Sequence, residues 1–277
     1  MTLARIFLQE DVNFLLTNRI PRRLATKLMA RFSRIRSRAL TRLSIAVWQL
    51  FADDLRLDES LEQDFESLHA CFVRRLKPGL RPIDPRADVL VSPCDALVGA
   101  RGRIADNRLI QAKGLDYTLD DLVGDAHIAN RYRDGVFITL RLQSNMYHRF
   151  HAPCDGRVRA VTRIAGDTWN VNPIAVARIE RLFCRNERAV ADIEPAWPHT
   201  AVALVPVAAI LVGGIHVTHD VQVSKGAEFG RFEAGSTIIL LAAGPFQFAP
   251  GLTDGQRINV GQALLHYAPL TPSPTEE

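Results

Sequence analysis

Apolar positions along the first fifth of the chain recur at three- and four-residue steps. Leu24, Leu28, Phe32, Ile35, Ala39, Leu43, Val47 and Leu50 fall on one face of a helix, and the spacing predicts that helix between Pro21 and Asp53. Arg23, Lys27, Arg31, Arg34, Arg38 and Arg42 keep nearly the same rhythm, so a cationic stripe flanks the apolar one. Pro21 suits its first turn. Leu61, Phe65, Leu68 and Phe72 continue a helical period through Leu55 to Leu76, which ends at Lys77-Pro78-Gly79. Pro78, Pro82 and Pro85 then mark a linker.

Beyond Pro85 the period shortens. Val89–Val91, Val136–Leu142, Val158–Ile164, Ala201–Val207 and Thr237–Ala242 are short apolar runs between Gly, Pro, Asp and Asn clusters, the pattern of strands and turns. Ser92-Pro-Cys-Asp-Ala-Leu-Val-Gly-Ala100 is echoed by Ala152-Pro-Cys-Asp-Gly-Arg-Val-Arg-Ala160, each a turn followed by a strand. Lys225 to Phe232 and Gly255 to Leu264 carry paired glycines and read as hairpins, and Gly235-Ser236-Thr237 reads as part of another. The expected fold is α+β: basic amphipathic N-terminal helices over residues 1–80, then a β-rich sandwich or flattened barrel over 81–277 with an internal pseudo-repeat.

An apolar content of 47% and a charged content of 23% place the chain among ordinary globular proteins and exclude a long disordered tract. Charge is uneven. Residues 1–50 hold ten Lys or Arg against Glu10 and Asp11, while the rest holds 24 basic and 28 acidic residues. Three roles suit such a basic helix: a solvated face on a packed helix, adsorption to an anionic membrane, or nucleic-acid binding. No nucleic-acid motif or aromatic interleaving supports the last. The run Ala201 to Ile215 is shorter than a membrane span, is interrupted by Pro206, Gly213 and Gly214, and reads as buried strands. No secretory signal is expected at the N-terminus. Cys71, Cys94, Cys154 and Cys184 are scattered, which favours a reducing compartment over a zinc site or disulfide framework.

Asp95, His151 and Ser236 supply a carboxylate, a base and a hydroxyl, the set acyl transfer needs. Ser236 is not in a Gly-x-Ser-x-Gly elbow, which argues against an α/β-hydrolase. Plain structural roles compete: Asp95 and Asp155 suit turn caps, His216 and His219 suit core or hairpin positions, and Glu228 and Lys225 suit a hairpin surface. His148, three residues before His151, shares a cleft with it only if the segment turns.

Taken in order, several segments resemble the phosphatidylserine decarboxylases, from about Arg19 to Leu265. They are the basic helices; Val91-Ser-Pro-Cys-Asp95; Ile110-Gln-Ala-Lys113-Gly114 leading to Tyr117 and Leu122-Val-Gly124; Tyr147-His-Arg-Phe-His151; Asn172-Pro173; Phe183-Cys-Arg-Asn-Glu-Arg188; and Gly235-Ser236-Thr237. Ala234 departs from the family's usual leucine, Ala96 from glycine, and Cys94 and Cys154 from valine, none of which removes a reactive group.

The resemblance implies a proenzyme in which Asp95 orients His151, His151 deprotonates Ser236, and Ser236 attacks the Gly235 carbonyl. Scission then leaves a β chain of residues 1–235 and an α chain of 236–277, capped by a pyruvoyl cofactor derived from Ser236. That group forms a Schiff base with phosphatidylserine, and the products are phosphatidylethanolamine and CO2. His148 is the candidate proton donor or substrate-handling residue. The same resemblance implies a heterodimer of its own two chains, open to further dimerisation, no metal, no nucleic acid, and peripheral attachment to the cytoplasmic face of a bacterial cell membrane. The rival readings are a Ser-His-Asp hydrolase without self-cleavage and a non-catalytic lipid-binding β-sandwich.

Overall fold

Val, Ile and Leu dominate the short runs beyond Pro85, and these residues build the strands of an α+β structure. The computed structural model describes residues 11, 14–15, 21–52, 54–112, 114–210, 214–218, 220–233 and 236–268. Its strands are β1 Val89–Val91, β2 Ala96–Arg103, β3 Arg108–Ala112, β4 Leu115–Thr118, β5 Val136–Arg141, β6 Arg149–His151, β7 Gly156–Ile164 and β8 Arg188–Pro195. They continue with β9 Ala201–Ala208, β10 Ile215–Val217, β11 Gln222–Val223, β12 Glu228–Phe232, β13 Ser236–Ala243, β14 Phe246–Phe248, β15 Arg257–Ile258 and β16 Ala263–Tyr267.

Eight of them form an open sheet in the order β11-β7-β8-β9-β13-β5-β2-β15, so the flattened barrel does not close. Two smaller sheets, β1-β16-β14 and β10-β12-β6, and the β3-β4 hairpin complete the β structure. Every residue of β9 is buried, as happens when both faces of a strand are covered. Pro206 sits mid-strand without an N–H to donate. The β8–β9 ladder accordingly skips from Arg188↔Val207 to Ala191↔Leu204, while pairing with β13 continues through Ile238↔Pro206.

The echo in the sequence is a structural pseudo-repeat. β1–turn–β2 and β6–turn–β7 are equivalent, and their turns exchange hydrogen bonds: Val91 N–H donates to Pro153 O (2.9 Å) and His151 N–H to Pro93 O (2.7 Å). The paired-glycine segments belong to the same repeat. Gly226 N–H donates to Ala152 O, and Gly261 N–H donates to the equivalent Ser92 O. Neither segment is a hairpin, contrary to the sequence pattern: β11 and β15 pair with β7 and β2, whereas β12 and β16 join the small sheets. Both glycines have positive φ and both approach Ile83, leaving no room for a Cβ. The linker residue Ile83 is thereby wedged between the two halves.

The N-terminal pattern yields two helices, α1 Arg22–Ser33 and α2 Arg38–Phe51, where periodicity predicts one. The break falls at Ser37, whose side chain accepts from Leu40 N–H as the cap of α2. The helix expected over Leu55–Leu76 is reduced to one 3₁₀ turn and α3 Leu68–Phe72. Arg56 there is left-handed, Ser67 caps α3, and Ser60 bridges Leu76, so the segment doubles back. Buried Arg74 secures this fold by donating to the carbonyls of Leu55, Cys71 and Asn145. Four short helices, α4 Leu119–Val123, α5 Ala126–Tyr132, α6 Pro173–Arg178 and α7 Leu182–Arg185, cover the sheet.

In α1 and α2 the buried residues are Thr26 and Thr41, while Leu24, Leu28, Phe32, Leu43, Val47, Leu50 and Phe51 are exposed. Among the described residues no helix is long and apolar enough to cross a membrane.

Candidate active site

The chain changes sheets between Phe232, the end of β12, and Ser236, the start of β13. Gly235 and the side chain of Ser236 lie outside the described residues, as does His219. The backbone of Ser236 pairs with Ala208, and Thr237 is held between Val207 and Arg141. The Asn186-Glu187 pair of the motif Phe183–Arg188 brackets this register. Asn186 Nδ2 donates to Ala208 O (2.8 Å), and Ala208 N–H donates to Glu187 O (2.8 Å).

The His148–His151 segment reaches the crossover through β6, where Phe232 N–H donates to the His148 carbonyl (2.9 Å). His151 is partly buried. Its Nδ1 lies 2.9 Å from Gly226 O, an acceptor only, so Nδ1 carries the proton and Nε2 keeps its lone pair. The Tyr147 hydroxyl donates to that Nε2 at 3.2 Å. Burial lowers the His151 pKa, against the raising effects of the Gly226 carbonyl and the Glu228 and Asp95 charges. The imidazole is therefore in the form of a base.

Asp95 is buried but does not hydrogen-bond to His151, which is not the contact the family resemblance implies. Its carboxylate takes a bidentate pair from Arg81 (Nε 2.9 Å, Nη2 2.6 Å) and a bond from Val260 N–H (2.9 Å). Arg81 also binds Glu59 at 2.7 Å. Burial alone would make the guanidinium easier to deprotonate, yet the two carboxylates raise its pKa above the usual value. The Asp95 charge is one of those that raise the His151 pKa against burial. Its repeat partner Asp155 accepts from Lys225 N–H (2.8 Å) at the surface, a turn role only.

His148 is wholly enclosed. Nδ1–H donates to Met146 O (2.8 Å), the ring centre lies 4.0 Å from that of Phe72, and among the described residues Nε2 has no partner. Burial, with Arg74 nearby, lowers its pKa to about 3. In this state His148 is a proton acceptor, and it donates only after first taking a proton.

A cleft of about 830 Å3 opens beside the crossover. Met29, Phe32, Leu43, Val47 and Trp48 of α1 and α2 form an apolar wall, facing Arg141, Gln143, Asn172 and Glu233 from the body. Glu233, with 4% of its side chain exposed, joins the two parts: Arg34 Nη2 (2.8 Å), His69 Nε2 (3.2 Å), His216 Nε2 (3.0 Å) and Arg231 Nε (3.4 Å) converge on it. His216 is thus exposed on β10, which pairs antiparallel with β12, and is not a core residue. Lys225 Nζ binds Arg86 O (2.6 Å) and Glu228 pairs with Arg149, both surface roles.

Arg81, Tyr147, Arg141 and Glu233 escape sequence reasoning about roles. Tyr147 lies inside a quoted segment and Glu233 falls between two of them, whereas Arg81 and Arg141 carry no local signal. Among the described residues no group of three His, Cys, Asp or Glu side chains is arranged to hold a metal ion.

Comparison with known proteins gives a consistent result. The family model described as Phosphatidylserine decarboxylase matches residues 68–266. Three proteins named phosphatidylserine decarboxylase proenzyme are similar to the chain. The one from Xylella fastidiosa (strain M12) is 36% identical over 81% of this chain and 85% of its own. The one from Vibrio cholerae serotype O1 (strain ATCC 39541) is 34% identical over 90% and 96%, and that from Anaeromyxobacter sp. (strain K) is 37% identical over 83% and 89%.

Proposed function

We propose how this chain works from one premise: it belongs to the phosphatidylserine decarboxylase family. It is a decarboxylase that converts phosphatidylserine to phosphatidylethanolamine, made as a proenzyme that cleaves itself. In our reading the cut falls between Gly235 and Ser236. His151 Nε2 takes the Ser236 hydroxyl proton, the oxygen attacks the Gly235 carbonyl, and the amide becomes an ester. β-Elimination frees the Gly235 carboxylate and leaves dehydroalanine at position 236. Addition of water and loss of ammonia convert that residue to a pyruvoyl group. Asp95, fixed by Arg81 and Val260, offsets the positive charge His151 acquires.

Position 236 suits a covalent cofactor because β13 is paired on both sides, with β5 and β9, so a group at its first residue stays anchored after scission. The pyruvoyl group supplies an electron-accepting carbonyl that no ordinary side chain offers. The rest falls to the chain's own residues. The apolar cleft holds the lipid and excludes water, and the free Nε2 of His148 handles a proton at the reacting carbon.

The two fragments, 1–235 and 236–277, remain one particle in this account, since β13, β15 and β16 are each paired with strands from the larger piece. Residues 1–80 serve membrane association and 81–277 catalysis. The exposed apolar stripe of α1 and α2 meets an anionic bilayer on its cytoplasmic face, where each basic residue contributes about 1 kcal/mol.

The observation that carries the reading is the cleft, walled by those helices and opening where Ser236 begins β13. Its test is CO2 release from phosphatidylserine vesicles. The wild-type chain should release CO2 and Ser236→Ala should not; equal activity in both, or none in either, defeats it. The hydrolase alternative keeps the chain whole, whereas the similar proteins are named proenzymes, which favours self-cleavage.

A further inference from the structure

Arg141 closes β5, opposite Thr237 on one side and Leu97 on the other, and it lines the apolar cleft. The other arginines near this cleft are already engaged. Arg34 and Arg231 bind Glu233, and Arg22 binds Asp167. No hydrogen bond or ion pair to the Arg141 side chain occurs among the described residues. Burial lowers its pKa. A partly buried guanidinium beside apolar walls, with no acid paired to it among the described residues, is unfavourable on its own, so the arrangement suits an anion delivered by the ligand.

We propose that Arg141 binds the phosphodiester of phosphatidylserine and so sets the depth at which the headgroup enters the cleft. This rests on the decarboxylase reading above. Phosphatidylserine also carries a carboxylate, but that group loses its charge in the reaction. An arginine on it would stabilise the ground state more than the transition state and slow the chemistry. The phosphodiester keeps its charge throughout, and a planar guanidinium matches its two oxygens. Gln143 and Asn172 add polar groups to the lining of the same cleft.

The test uses mature wild type, Arg141→Met and Arg141→Lys, with rates expressed per chain carrying the pyruvoyl group. Two short-chain substrates are compared, dihexanoyl phosphatidylserine and its uncharged methyl phosphotriester. Arg141→Met should raise KM for the diester about 30-fold with kcat within about threefold, as for loss of one charge-assisted contact. Arg141→Lys should recover most of that loss. Wild type should prefer the diester, and Arg141→Met should not. Unchanged KM, or equal losses on both substrates, overturns the assignment. A wild-type chain that releases no CO2 from phosphatidylserine defeats the parent reading instead, and the assignment falls with it.

Discussion

Replacing Arg81 with methionine leaves the Asp95 carboxylate inside the protein without its counter-ion. In the native chain Arg81 meets it at 2.6, 2.9 and 3.0 Å, with 2% of the Asp95 side chain and 10% of the Arg81 side chain exposed. The variant keeps only the Val260 N–H bond to Asp95. Solvent screens such a pair poorly, and removing one partner costs about 3–5 kcal/mol. With a urea m-value of about 3 kcal/mol/M, the unfolding midpoint should fall by ~1–2 M.

The assay is urea unfolding in a Ser236→Ala background, which keeps the chain whole. Adding Asp95→Asn should restore most of the stability. A midpoint change under about 0.3 M, or a double variant no more stable than the single one, refutes the reasoning.

His148 should be a neutral Nδ1–H imidazole at pH 5, read from its ring nitrogen shifts; an imidazolium there contradicts the structure. Because its folded pKa of about 3 lies below the ordinary value, its contribution to stability is complete above about pH 6.5 and is lost as pH falls toward 3. Glu233→Ala should free the α1–α2 junction, and with Arg34 half exposed the loss is ~1 kcal/mol, or about fivefold faster tryptic cleavage near Arg34–Arg38. Unchanged proteolysis would show that the junction is held elsewhere. Asp155→Ala should cost under ~1 kcal/mol and leave self-cleavage intact, whereas Asp95→Ala should abolish cleavage; the reverse order would exchange the roles of the two repeats.

The strands were legible because their residues are apolar runs of the right length between turn formers, and the repeat because Pro-Cys-Asp occurs twice. The hairpins were misjudged for a physical reason: glycine pairs mark a reversal or a sheet change equally well, and only long-range pairing decides which. Periodicity over Leu55–Leu76 lost to tertiary hydrogen bonds from Arg74, which no local pattern encodes. At the site, His148, His151 and Asp95 stood out by residue type. Their partners did not, since Gly226 O and Val260 N–H are backbone groups brought in by the repeat. Arg81 and Arg141 are two arginines among many in sequence, and only the fold brings Arg81 to two carboxylates and Arg141 to the cleft.

Self-cleavage at Gly235-Ser236 is the claim on which everything else depends, and intact-mass spectrometry of the purified chain beside Ser236→Ala tests it most directly. The account predicts two fragments from the wild type, residues 1–235 and 236–277, the smaller one light by the exchange of an amine for a ketone, and one unbroken chain from the variant. A wild-type chain of full mass would contradict it.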